Sequence, residues 1–215
     1  GGQWQLALAL LCSMASGRLP VNVVACSAAI SACERSGRWR HALAALGSMG
    51  QLRVLPDVVA CNAAISACEK VVQWQSALAL LDSMPKLRVA PNVITCNAAV
   101  SACENDGQWQ LALALLAGMP RIRVEPDTIS FNAAISACEK GRQWQLALVL
   151  LRTMIFNYGA LGVVACSAAI SACGQARHWQ PALALLDSMP ELRVASDVIC
   201  SCAALGACER GDQRR

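Results

Sequence analysis

Catalytic equipment is what this 215-residue chain lacks. It holds two histidines, His41 and His178, and neither has an acid or a cysteine at a useful spacing, so no acid–base pair or nucleophile triad is visible. No His-x-Glu motif is joined to a Cys-x-x-Cys pair, which excludes the zinc deaminase signature. No glycine-rich loop of phosphate-binding type occurs. Charge is sparse as well: 15% of residues are Asp, Glu, Lys or Arg and the formal net charge is +4, too little for binding driven by a strong electrostatic field. Aromatics make up 4%. The longest uncharged stretch, Thr153–Ala176, is interrupted by Asn157, Gly159, Gly162, Ser167 and Ser171, so it does not read as a membrane span. No secretory signal and no initiator Met are present, and the chain reads as a fragment or as one whose targeting segment lay upstream. These absences point to a binding module, not an enzyme, with no cofactor and no metal.

What is present is a period. Trp4, Trp39, Trp74, Trp109, Trp144 and Trp179, all the tryptophans of the chain, recur every 35 residues. A fixed period in this range signals a solenoid in which each repeat packs only on its neighbours. In register, a half repeat (Gly1–Asn22) precedes Val23–Asp57, Val58–Asn92, Val93–Asp127, Thr128–Gly162 and Val163–Asp197, and a second half repeat (Val198–Arg215) follows. The whole of 1–215 thus reads as one array. Both ends present half hairpins without polar capping repeats, the edges expected of a longer array or of fraying termini.

Each repeat carries two helical patterns. The first is VVACNAAISACEK (Val58–Lys70) and its counterparts; the second is WQSALALLDSM (Trp74–Met84). A polar or glycine-containing turn such as Ser36-Gly37 or Asp106-Gly107 stops the first helix. The link after the second ends in Pro-Asp or Pro-Asn, which puts an N-cap residue directly before the next helix. The fold class is therefore all-α: antiparallel helix-turn-helix repeats in a right-handed superhelical solenoid. The stripe Trp39, Ala42, Leu43, Leu46 and Met49 has helical spacing and must be buried, which makes Trp a scaffold residue. The link Ile155–Gly162 lacks both the proline and the capping residue and is expected to loosen the array midway.

Thirteen cysteines suggest disulfides or metal at first sight. Cys26/Cys33, Cys61/Cys68, Cys96/Cys103 and Cys166/Cys173 lie seven apart on one helix. That spacing separates their Cα atoms by roughly 10 Å, beyond disulfide reach. No zinc spacing appears either. The cysteines read as small buried hydrophobes, consistent with Phe131 standing where Cys26, Cys61 and Cys96 stand elsewhere. Reduced thiols imply a reducing compartment.

The first helix also carries a polar anomaly. Asn62, Asn97 and Asn132 recur at the fifth residue, where Ser27 and Ser167 also fall. Asn is unfavourable inside a helix because its amide competes for backbone hydrogen bonds. A polar group repeated at each step builds a ladder, as an extended binding surface requires.

A 35-residue helical hairpin with Asn or Ser fifth and Val-x-Pro-Asp at its end resembles the pentatricopeptide repeat family, over nearly the entire chain. The related tetratricopeptide repeat has a period of about 34 and an aromatic and glycine signature absent here. The resemblance implies single-stranded RNA binding in a chloroplast or mitochondrion, in transcript processing, stability, editing or translation. One base would be read per repeat on its Watson–Crick edge. The implied readers are the fifth and last residues: Ser27 with Asp57, Asn62 with Asn92, Asn97 with Asp127, and Ser167 with Asp197. Asp only accepts hydrogen bonds and suits the imino N–H of G or U; Asn also donates and suits A or C. In order the reading is G, C (or U), U, unassigned, G. The unassigned repeat pairs Asn132 with Gly162, which has no side chain. Val24, Val59, Ile94, Ile129, Val164 and Ile199 would sandwich the bases, again by resemblance. Arg35, Lys70 and Lys140 would meet phosphates, with Asn105 and Gln175 leaving gaps in that grip. Arg18, Arg53, Arg88, Arg123 and Arg193 form a further row in the links, read as solvated. A protein-interaction scaffold is the alternative function, and partner proteins or flanking domains of a longer chain are compatible with it.

Overall fold

The computed structural model describes residues 3–17, 19–158, 162–190, 194 and 198–212. Twelve α-helices and no strand occur among the described residues. They run α1 (Gln3–Ser16), α2 (Val23–Arg35), α3 (Trp39–Ser48), α4 (Val58–Glu69), α5 (Trp74–Ser83), α6 (Val93–Asn105), α7 (Trp109–Gly118), α8 (Thr128–Lys140), α9 (Trp144–Tyr158), α10 (Val163–Gln175), α11 (Trp179–Ser188) and α12 (Val198–Asp212). A single turn of 3-10 helix, Met119–Ile122, follows α7. The chain is a helical-repeat solenoid, and its helices begin at the first residue and at the tryptophan of each repeat.

The helices group into two compact units, Gly1–Ala102 with Arg121–Val124, and Cys103–Pro120 with Glu125–Arg215. In the first, α2 packs on α3 and α4, and α4 packs on α5. In the second, α8 packs on α9 and α10, and α10 packs on α11 and α12. First helices therefore stack on first helices within each unit, with second helices outside them.

Local chemistry explains the boundaries. Asn22, Asp57, Asn92 and Asp127 each accept a backbone N–H three residues on, from Ala25 at 2.9 Å, Ala60 at 2.8 Å, Thr95 at 3.0 Å and Ser130 at 2.8 Å. At α10 the capping place belongs to Gly162, and no side chain caps the helix. First helices end in one repeated closure. The backbone N–H groups of Arg38, Gln73, Gln108, Gln143 and His178 return to the carbonyls of Cys33, Cys68, Cys103, Cys138 and Cys173 at 2.8–2.9 Å. This six-to-one bond needs a left-handed residue just before the donor. Gly37 and Gly107 supply it, but so do Val72 (φ 59°), Arg142 and Arg177. The same closure follows the second helices, where Val54 and Val89 return to Met49 and Met84. There the left-handed residues are Arg53 and Arg88, with Arg123 at the matching place, so these three link arginines occupy a strained backbone position.

Val72 carries the largest mismatch, a β-branched residue in left-handed space that is not buried. Val72→Gly is expected to raise stability by about 1 kcal/mol, a gain visible as a higher urea midpoint at unchanged slope. A midpoint equal to or below the parent's would refute that strain.

The core is thin and regular. Ile30, Ile65, Val100, Ile135 and Ile170, at the eighth residue of each repeat, are fully buried, as are Met49, Met84 and Met189 at the twenty-seventh, with Met119 and Met154 at 1%. Ala64, Ala99, Ala134 and Ala169 fill the close approach between first helices. The second-helix stripe follows expectation at Ala42, Leu46 and Met49, whereas Trp39 and Leu43 are half-buried. Of the cysteines only Cys12, Cys202 and Cys208 escape burial, and none of the thirteen is in a disulfide.

In the link of the fourth repeat, α9 continues as helix to Tyr158, because nothing between Met154 and Tyr158 breaks it, and residues 159–161, where the expected loosening would also fall, lie outside the described residues. The extra turn brings Tyr158 edge-on to Phe131 at 5.8 Å, and its hydroxyl donates to the Pro126 carbonyl. Phe131 thus finds an aromatic partner that the cysteines at its place lack. No helix among the described residues is long and apolar enough to cross a membrane.

Candidate functional site

Burying the fourth, seventh, eighth and eleventh residues of each first helix leaves the second, fifth, ninth, twelfth and thirteenth for the remaining side. At the second residue stand Val24, Val59 and Ile94 in the first compact unit and Ile129, Val164 and Ile199 in the second. All six are exposed, between 55% for Val59 and 70% for Val24. A β-branched apolar residue at the same exposed place in every repeat serves no core.

The fifth residues lie deeper. Ser27 and Asn97 are buried at 7% and 9% exposure, and Asn62, Asn132 and Ser167 are half-buried. They form the floor of the polar side and do not project from it. In the first compact unit, fifth and last residues of one repeat meet. The Ser27 hydroxyl lies 3.3 Å from Asp57 Oδ1 and 2.8 Å from the Val23 carbonyl. Asn62 Nδ2 donates to Asn92 Oδ1 at 3.3 Å. Asp57 and Asn92 do this while capping α4 and α6, so the cap role and the pairing coexist in the same side chains. Asp127 caps α8 through a box in which Ser130 Oγ accepts the Asp127 N–H at 3.1 Å. In the second unit the Ser167 hydroxyl bonds the Val164 carbonyl at 2.9 Å. Asn132 Oδ1 is buried with no hydrogen-bond partner, the only such side-chain atom among the described residues. Asp197, Arg18 and Arg193 lie outside the described residues.

A groove of about 230 Å³ crosses the first helices of the second unit. Val164, Ile199 and Ala168 line it together with Ser136, Ser167, Ser171 and Glu139, so apolar side chains and hydroxyl groups share one slot.

The cations meet carboxylates. Lys70 Nζ binds Glu34 Oε1 at 2.8 Å, and Lys140 Nζ binds Glu104 Oε1 at 3.1 Å with Asn105 Oδ1 at 3.4 Å. Gln175 Nε2 donates to Glu139 Oε1 at 3.3 Å in the same geometry. The thirteenth residue of one repeat thus reaches the twelfth of the repeat before it, and Gln serves there as Lys does. Arg35 is exposed. Half-exposed pairs of this kind stabilise by about 0–1 kcal/mol, so they leave the lysines able to exchange partners.

Sequence reasoning passed over three features. The glutamates Glu34, Glu69, Glu104 and Glu139 recur every 35 residues, and so do the half-buried serines Ser31, Ser66, Ser101, Ser136 and Ser171. Both rows were available from the register alone. The third is Thr95, whose hydroxyl sits inside the Asn62–Asn92 pair. No group of three or more His, Cys, Asp and Glu fit to hold a metal occurs among the described residues.

Known proteins place this geometry. A model of the PPR repeat family matches residues 56–105, and a model of the PPR repeat matches 24–54, 129–157 and 164–194. No curated protein sequence matches significantly. Among solved structures, the pentatricopeptide repeat protein PPR10 from maize matches with TM-score 0.63 and 17% identity over 98% of this chain and 35% of its own. PPR10 in complex with an 18-nt psaJ RNA element matches with TM-score 0.78 and 24% identity over 97% of this chain and 30% of that one. The PPR domain of Arabidopsis thaliana protein-only RNase P 1, in complex with tRNA, matches with TM-score 0.69 and 11% identity over 84% of this chain and 95% of its own. The chain thus spans about a third of the length of the PPR10 chains it matches. Family models covering well over half of its residues, on helices in the same register, make this chain a member of the pentatricopeptide repeat family.

Proposed function

We propose that the chain, as one continuous array over residues 1–215, binds single-stranded RNA sequence-selectively, one base per repeat, and carries out no catalysis itself. The observation that carries this reading is the pairing of two rows. An exposed Val or Ile at the second residue adjoins a fifth residue that touches the last residue of its own repeat, as at Ser27–Asp57 and Asn62–Asn92. An apolar side chain offers a face to stack on, and a polar pair offers an edge to read. Support also comes from PPR10 and the Arabidopsis domain, both solved with RNA. The base order read from the pairs is G, C (or U), U, unassigned, G. Organellar RNA metabolism, in a chloroplast or mitochondrion, is the setting proposed with it: processing, stability, editing or translation. Val24, Val59, Ile94, Ile129, Val164 and Ile199 flank the bases in this reading, and Arg35, Lys70 and Lys140 exchange glutamate for phosphate.

Fluorescence anisotropy tests it. A single-stranded RNA carrying GCUNG is expected to bind more tightly than its permutations, with a shallow salt dependence given a net charge of +4. Asn97→Ser with Asp127 intact is expected to move the preference at the third base from U toward G by about tenfold. Equal binding of all permutations, or of duplex and single strand alike, would overturn base reading; tight capture of a protein with no RNA affinity would favour a scaffold.

A further inference from the structure

The repeat Val58–Asn92 holds a third polar group that its fifth and last residues do not account for. Thr95, the third residue of the following repeat, is fully buried. Its hydroxyl oxygen lies 2.5 Å from Asn62 Oδ1 and 2.9 Å from Asn92 Oδ1, and it accepts the Asn92 backbone N–H at 3.1 Å. A hydroxyl has one proton to give. The shorter contact takes it, so Thr95 donates to Asn62 Oδ1. Meanwhile Asn92 Oδ1 accepts from the Thr95 backbone N–H at 3.0 Å and from Asn62 Nδ2 at 3.3 Å, which fills both of its lone pairs.

The consequence is a fixed polarity. With both amide oxygens engaged by these bonds, the groups left over are one N–H of Asn62, two of Asn92 and a single lone pair of Asn62 Oδ1, so donors predominate. Two amides free to turn over would present either donors or acceptors. Both pyrimidines carry two acceptors and one donor at the pairing edge, but the ring nitrogen differs: cytosine N3 accepts an amide N–H, whereas uracil N3–H repels it.

The chain contains its own comparison. Asn132 occupies the same place as Asn62, but the third residue of the next repeat is Ala165 and the last residue of its own is Gly162. There the amide oxygen Asn132 Oδ1 is buried without a partner. The third-residue hydroxyl and the last-residue amide both distinguish the two sites, and of these only the Thr95 hydroxyl bonds the amide oxygen at Asn62. Ala60 fills that place after Ser27, which has no amide to orient.

We infer that Thr95 is a positioning residue for base choice: its hydroxyl locks the Asn62 and Asn92 amides with their N–H groups outward, and so selects cytosine over uracil at the repeat Val58–Asn92. The inference rests on the base-reading function proposed above and resolves the ambiguity left at the second base.

The experiment compares two single-stranded RNAs, one carrying GCUNG and one carrying GUUNG, against the parent chain, Thr95→Val, Thr95→Ser and Asn62→Ala. The parent is expected to favour C over U by about tenfold. Thr95→Val, which keeps shape and loses the donor, is expected to bring the ratio below about twofold while preference at the third base stays intact. Thr95→Ser is expected to keep the parental ratio. If Thr95→Val retains the preference while Asn62→Ala abolishes it, the positioning role is wrong and base reading stands. If the parent shows no preference, or Asn62→Ala leaves it unchanged, base reading itself fails at this repeat. A second measurement needs no RNA: the side-chain amide signals of Asn62 in the folded chain should shift and exchange faster in Thr95→Val than in Thr95→Ser. Identical signals in both would overturn the lock.

Discussion

Between pH 9 and pH 11 the chain is expected to lose its helices. Cys61, Cys68, Cys103, Cys138, Cys166 and Cys173 are fully buried, and burial pushes each thiol from the ordinary 9.0 up to about 11. Desolvation is the leading cause throughout; Asp57 adds repulsion at Cys61 and Asp106 at Cys103. A pKa raised in the folded state means that folding favours the protonated thiol. This preference is fully in force below pH 9, where both states are protonated, and it is lost as the pH rises through 11, where only the unfolded chain has ionised freely. Each such thiol withdraws roughly 2 kcal/mol by the end of that window. Six of them together are comparable with the roughly 5–15 kcal/mol that holds a typical domain. Helix content followed by circular dichroism should therefore collapse before pH 11, and Cys61→Ala with Cys68→Ala should move the collapse upward. A signal unchanged at pH 11 would show that the thiols are far better solvated than their burial indicates.

Met84→Ala is expected to cost about 2–5 kcal/mol. Met84 is fully buried at the end of α5, and its carbonyl closes the link by accepting the Val89 N–H at 3.0 Å. Truncating it leaves a cavity at a fully buried place, which costs the lost transfer energy together with the energy of the void. Met84→Leu keeps the volume and should cost less than about 1.5 kcal/mol. Because a repeat leans only on its neighbours, the damage should be local. Hydrogen exchange should speed up in α4 and α5 well before it does in α10. Equal protection across the chain, or a loss below about 1 kcal/mol, would contradict a core assembled from single rows of large residues.

The period of 35 made most of this architecture legible. Asp57, Asn92 and Asp127 marked the helix starts, and the same side chains do cap those helices. The cysteine rows read as core, because a seven-residue spacing on a helix leaves each thiol facing the next hairpin and out of its partner's reach. Three things stayed hidden for physical reasons. The partners of Lys70 and Lys140 lie 36 residues back, so only the stacking of first helices brings Glu34 and Glu104 beneath them. The continuation of α9 depended on what Ile155–Tyr158 do when nothing interrupts them, and a missing proline reads as irregularity although it permits more helix. The depth of Ser27 and Asn97 was equally invisible, since a helical wheel places a residue on a side without saying how closely the next helix covers it.

The sameness of the buried rows has an outcome for the gene. Within each compact unit the buried rows of the first helices repeat the same small set of side chains, Ile or Val with Cys and Ala and with Phe131 as the exception, and Asn22, Asp57, Asn92 and Asp127 each cap the helix that follows them. Excising residues 58–92 would seat Asp57 directly before Val93, a join of the kind already found at Asp57–Val58. Unequal crossover in whole multiples of 35 codons would therefore lengthen or shorten such a protein while keeping its buried rows in register, leaving selection to act on which letters remain.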